Sequence, residues 1–70
     1  MLQPGRYRHY KGKDYEVIDI ATHSETGERL VIYRTLYGNY DLWARPLDMF
    51  CEPVLVEGNA VPRFVYVGPL

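Results

Sequence analysis

Seventy residues with 47% hydrophobic and 24% charged side chains describe one folded domain rather than a disordered chain, and at that length a core supplies only ~3–5 kcal/mol. Eight basic against nine acidic groups, net −1, argue against a dedicated nucleic-acid or acidic-membrane binder, which needs a basic excess. A single cysteine, Cys51, excludes an internal disulfide or multi-cysteine zinc site, and no stretch approaches the ~20 apolar residues of a membrane span, so a reducing compartment, the cytoplasm, is expected.

The charge is unevenly placed. Arg6, Arg8, Lys11 and Lys13 meet no acid within residues 1–13, which leaves four basic against nine acidic groups in the remainder. Such asymmetry suits charge pairing across strands of a sheet. Gly5 to Tyr10 alternates aromatic with basic residues and reads as a half-exposed strand, closed by a turn at Lys11-Gly12-Lys13-Asp14. Tyr15 to Ala21 is β-branched and reads as a second strand, with Ile18 and Ile20 on the face opposite Val17 and Asp19. His23-Ser24-Glu25-Thr26-Gly27-Glu28 concentrates turn formers and reads as a hairpin loop.

Arg29 to Tyr37 runs nine residues without Gly or Pro, long enough for a central strand, and its apolar groups at odd and even positions predict cover on both faces. Gly38-Asn39 predicts a two-residue primed turn returning through Tyr40 to Ala44. Arg45-Pro46 ends that strand, and Pro46 to Phe50 fits one helical turn. Pro53 to Val56 and Val61 to Tyr66, joined by Glu57 to Ala60, read as an edge hairpin, with the last three residues frayed. The expected fold is all-β: a small SH3-like barrel or roll of five to six short antiparallel strands with one helical turn, a single domain over residues 1–70 ordered from about 5 to 66.

Several of these stretches together resemble a family: His9-Tyr10-Lys11-Gly12, Tyr15-Glu16-Val17, His23 to Glu28, Val31-Ile32-Tyr33-Arg34, Leu36-Tyr37-Gly38, Leu42-Trp43-Ala44-Arg45-Pro46, Met49-Phe50 and Val61-Pro62-Arg63-Phe64. Over about residues 5 to 66 the chain is similar to the bacterial "domain of unknown function 1653" family, with Ala44 where that family usually carries Val. The resemblance implies a bacterial domain with an SH3-like barrel and implies no activity.

Side chains that could carry chemistry are few. His23, Ser24 and Glu25 offer a base, a hydroxyl and a carboxylate, but successive residues in a turn diverge, so a turn-building role is favoured over nucleophilic catalysis. His9, His23 and Glu25 would ligate a metal only if two loops converged, which their spacing does not demand, so no metal and no cofactor is expected. Cys51 has no neighbouring His or Lys to activate it and reads as a small, semi-buried apolar residue. Tyr37, Tyr40 and Trp43 with Arg34 and Arg45 make the stronger constellation, since flat side chains beside guanidinium groups suit peptide and single-stranded nucleic-acid surfaces.

In so small a domain Trp43 is expected in the core, with Tyr10, Tyr37 and Tyr40 at the rim. Arg34 and Arg45 stand open between partner recognition and ion pairs with Asp41, Asp19 or Glu16. If Trp43 is core, Arg45 shares its face and needs carboxylates or carbonyls, so Arg45→Ala is expected to destabilise. The functional expectation is a non-enzymatic interaction module for a protein or peptide, with no membrane partner. The alternatives are a small hydrolase or ligand-binding enzyme using His23, Glu25 and Arg45 in a shallow cleft, or a weak single-stranded nucleic-acid binder.

Overall fold

The computed structural model describes residues 2–70. Seven strands and one short helix follow in the order β1 (Gly5–His9), β2 (Asp14–Thr22), β3 (Arg29–Thr35), β4 (Leu42–Pro46), α1 (Leu47–Cys51), β5 (Val54–Val56), β6 (Asn59–Val61) and β7 (Phe64–Gly68). The all-β expectation holds, with one strand more than foreseen. The barrel does not close: β4-β3-β2-β1-β7 form an open antiparallel sheet whose edges are β4 and β7, and β5-β6 form a separate two-stranded arm.

One face of the five-stranded sheet carries the core. Register pairs Tyr7 with Tyr15, Val17 with Tyr33, Tyr33 with Trp43 and Tyr7 with Tyr66, so strand alternation delivers aromatic rings from every strand to the same side. Tyr7, Tyr15, Val17, Val31, Tyr33 and Phe50 are buried there. Phe50 comes from α1, which Pro46 starts and which packs on β3 and β4, so the helix covers part of the core-bearing face. Cys51, next along α1, is exposed rather than semi-buried, because the turn that buries Phe50 points its neighbour outward.

Four other expectations need correction. Ile18 and Ile20 do not share a face: the β2–β3 register slips between Val17 and Asp19, so Val17 and Ile20 lie on the core side and Ile18 is exposed. On β3 only Val31, Tyr33 and Thr35 are buried, so the strand is covered on one face and its other face is half-exposed. Gly38-Asn39 does not form a two-residue hairpin. The β3–β4 link spans residues 36–41, held by Thr35 N–H to the Asp41 carbonyl at 3.0 Å and by the buried Thr35 Oγ1, which accepts from Asp41 N at 3.1 Å and donates to the Tyr37 carbonyl at 3.1 Å. The two-residue turn stands instead at Glu57-Gly58, both with positive φ (51° and 82°), as a type I′ hairpin requires. Finally, Val61 to Tyr66 is not one strand: Pro62, which cannot donate to a ladder, separates β6 from β7, and β7 leaves the arm to pair with β1.

On the outer face, charge asymmetry resolves into strand pairing. Asp14 accepts from Arg8 Nε at 2.8 Å and Arg6 Nε at 2.7 Å, and the two guanidinium groups, Arg8 first, hold its carboxyl at about 2, below its ordinary 3.8. A folded-state value below the unfolded one adds stability that is complete above pH ~4 and is lost as pH falls through 2. Thermal melts should therefore show the midpoint of the natural chain dropping between pH 4 and 2. Asp14→Asn should lower the midpoint at pH 7 and flatten that acid limb; an unchanged limb would assign the acid sensitivity elsewhere.

Candidate aromatic binding face

The site forms at the end of the sheet where β1 turns into β2 and β3 into the 36–41 link. Tyr15, at the start of β2, is its centre: the rings of Tyr33, Tyr37 and Phe64 lie at 5.5 Å from it, Trp43 at 6.0 Å and His9 at 6.3 Å. Most meet edge to face, the arrangement that a ring quadrupole favours. The Tyr15 and Tyr37 hydroxyls share a hydrogen bond of 2.8 Å. Burial, then that bond, pushes the Tyr15 phenol up, so it is a neutral, structural group at any physiological pH.

Trp43 is not core. It sits on the inner face, as its pairing with Tyr33 requires, yet it is 43% exposed because β4 is an edge strand with no neighbour to cover it. Tyr33 and Tyr37 support it edge-on at 6.0 and 6.5 Å, which fixes the indole while leaving part of it in solvent. Tyr37 is half-buried beside it, and Tyr10 and Tyr40 are exposed, as the rim assignment expected.

Arg45 shares the face of Trp43. Its guanidinium lies 6.0 Å from the Phe64 ring and donates from Nε to the Tyr33 hydroxyl at 3.3 Å. Arg34 points to the other face and donates to the Tyr40 carbonyl at 2.7 Å. Neither makes the ion pair with Asp41, Asp19 or Glu16 that was one of the two readings; the ion pairs among the described residues join Arg6 and Arg8 to Asp14 and Arg63 to Glu52. The condition under which Arg45→Ala would destabilise, a buried Trp43, is therefore absent.

His23 and Glu25 stand apart from this face. His9 precedes the nine-residue strand β2 and His23 follows it, a separation of roughly 30 Å at ~3.3 Å per residue. Each imidazole works locally: His9 Nδ1 accepts from Lys11 N and His23 Nδ1 from Glu25 N, both at 3.1 Å, so each histidine builds its own turn. Among the described residues no group of three His, Cys, Asp or Glu could hold a metal ion. The structure thus unites Tyr37, Trp43 and Arg45, and leaves Arg34, Tyr40, His23 and Glu25 outside.

It also adds residues that the sequence reading did not assign to a site. His9, Tyr15 and Phe64 complete the aromatic surface, Lys13 Nζ lies 4.6 Å from the Tyr37 ring, and Arg63 adjoins through its carbonyl, which accepts from Tyr10 N at 2.9 Å. Burial, then Arg63, Arg45 and Lys11, lowers the His9 imidazole, so three cations act on one ring. The mixed aromatic and basic run Arg6 to Lys13 was the available signal, but it carries no information about which distant strand it meets.

A family model described as "Protein of unknown function (DUF1653)" matches residues 5–66. The crystal structure of a protein belonging to DUF1653 from Bordetella bronchiseptica aligns with a TM-score of 0.89 and 38% identity, over 99% of this chain and 91% of that one. No curated protein matches the chain.

Proposed function

Because the chain belongs to the DUF1653 family, whose description assigns no activity, we propose from the site alone that it is a non-enzymatic interaction module of the bacterial cytoplasm. It binds an extended protein or peptide segment across Trp43, Tyr37 and Arg45. One observation carries this reading: the only tryptophan is 43% exposed on a face otherwise given to the core, and three tyrosines hold it in place. A large, rigid, partly wet aromatic ring beside a guanidinium is the kind of group that dominates protein recognition, and pre-fixing it reduces the entropy lost on binding. The cytoplasmic placement is supported by the exposed free Cys51, a thiol that a reducing compartment keeps unpaired.

Selection of a random peptide library on the purified domain, read out through Trp43 fluorescence, tests the proposal. Enriched peptides should shift the indole emission. Trp43→Ala, which lacks that signal and is followed by NMR titration with the same peptides, should keep native dispersion yet weaken binding by ~2 kcal/mol or more, roughly thirtyfold. Failure to enrich any peptide, or full affinity in Trp43→Ala, would overturn the reading.

A further inference from the structure

We infer that the aromatic face takes a carboxylate of an acidic peptide, gripped by Arg45 and Arg63. This rests on the interaction-module reading and specifies the chemistry of its partner.

The face has cations without matching acids. Among the described residues Arg45 makes no ion pair; its Nε bonds a neutral hydroxyl and its two terminal nitrogens have no partner in the fold. Arg63 is held weakly: Nη2 reaches Glu52 at 3.5 Å, a carboxylate 61% exposed to water, and its Nε is buried with no hydrogen-bond partner among the described residues. A buried guanidinium donor left unpaired carries a desolvation cost that an arriving acceptor removes. Nε and a terminal nitrogen of one guanidinium make the fork that a carboxylate fills with two parallel bonds, so a carboxylate that displaces the loose Glu52 contact satisfies both. Lys13, over Tyr37, adds positive potential at the rim.

Cation–aromatic alternation also suits the rest of such a ligand. Arg45 already stands by Phe64, and Trp43 and Tyr37 offer surface for the aliphatic part of a glutamate and the peptide backbone. A nucleic-acid strand is the poorer fit. Tracking successive phosphates requires a run of cations, whereas here they gather at one end of a chain that is net −1.

The test is an NMR titration of the full chain with three probes: acetylated and amidated hexaglutamate, the matching hexaglutamine, and octathymidylate. Hexaglutamate should move the Nε–H signals of Arg45 and Arg63 and the Trp43 indole N–H along one saturable curve, and should raise the titration midpoint of His9. Hexaglutamine should move none of them. Arg45→Gln, an exchange at a half-buried site without an ion pair, should retain native dispersion and lose about tenfold or more in affinity; Arg45→Lys should recover part of it, and Arg63→Gln supplies an independent second removal.

Hexaglutamate shifts confined to the outer-face groups Arg6 and Arg8, equal shifts with hexaglutamine, or tighter saturation by octathymidylate would each overturn the inference. The two levels remain separable. Library peptides that need Trp43 but are indifferent to Arg45→Gln would sink the carboxylate while leaving the module in place.

Discussion

Phe50→Ala is expected to leave the domain unfolded at 25 °C. Phe50 is 2% exposed, stacks on Phe64 with centroids 4.0 Å apart and meets Tyr33 and Tyr7 edge to face at 5.4 and 5.9 Å. It is also the one buried side chain of α1, so its removal both opens a cavity and releases the helix from the sheet. Truncating a buried Phe to Ala costs ~3–5 kcal/mol, which matches the ~3–5 kcal/mol that the core of so small a domain provides. Circular dichroism and urea titration decide it: a cooperative transition with a midpoint close to that of the natural chain would show that α1 is dispensable to the core. Phe50→Leu, which keeps most of the volume, should stay folded.

Gly5→Ala should be the next most damaging change, though it adds a single methyl group at the start of an inner strand. Gly5 has φ +141°, a conformation that side-chain-bearing residues rarely adopt. A Cβ there would lie 2.7 Å from Tyr66 Cε1 and 2.8 Å from the Gly68 carbonyl oxygen. The Tyr66 ring could rotate away, but Gly68 is backbone of β7, so the methyl group forces β1 and β7 apart where they pair. Backbone strain of ~1–3 kcal/mol and overpacking of similar size together cost roughly 2–6 kcal/mol. The matched control is Gly27→Ala, at φ +76° with nothing within 4 Å of the added atom, which should lose only ~1 kcal/mol. Equal urea midpoints for the two variants would show that the approach of β7 to Gly5 does not matter.

What the sequence made legible was local. Runs such as Tyr15 to Ala21 and Arg29 to Tyr37 declare strands through β-branched and aromatic content, although β3 ends at Thr35, and Pro46 before a short apolar stretch declares the helical turn. The errors arose where a local preference lost to something longer in range. Gly38-Asn39 has the residues of a primed turn, but the Thr35 hydroxyl and amide, both bonded to Asp41, fix the strand end earlier. Glu57-Gly58 adopts that turn although Glu seldom takes positive φ, because the two valine-bearing strands on either side require the twist. The slip at Ile18 has no sequence marker, since Val, Ile and Asp all fit a regular strand.

Barrel closure and the place of Trp43 failed for one common reason. Both depend on whether β4 has a neighbour on its far side, and no residue of Leu42 to Pro46 reports that. Size alone argued for burying the indole; edge position left it partly in water. The candidate face was half legible in the same way. Tyr37, Trp43 and Arg45 are near one another in sequence and were grouped, whereas His9, Tyr15 and Phe64 join them only through the register of β1 with β2 and β7.

That last pairing governs the order in which the chain can assemble. β2 and β3 are consecutive and joined by a short turn, so they can meet early, as can β1 with β2. Yet β1 gains its other neighbour only when β7 arrives, a loop of roughly fifty residues whose closure costs entropy that no local contact offsets beforehand. During synthesis the first strand therefore waits with one bare edge and Tyr7 lacks the ring of Tyr66, while nearly all of the remaining chain is made. A nascent chain stopped before Phe64 would hold most of its secondary structure, but neither a complete sheet nor the Phe64 floor of the aromatic face.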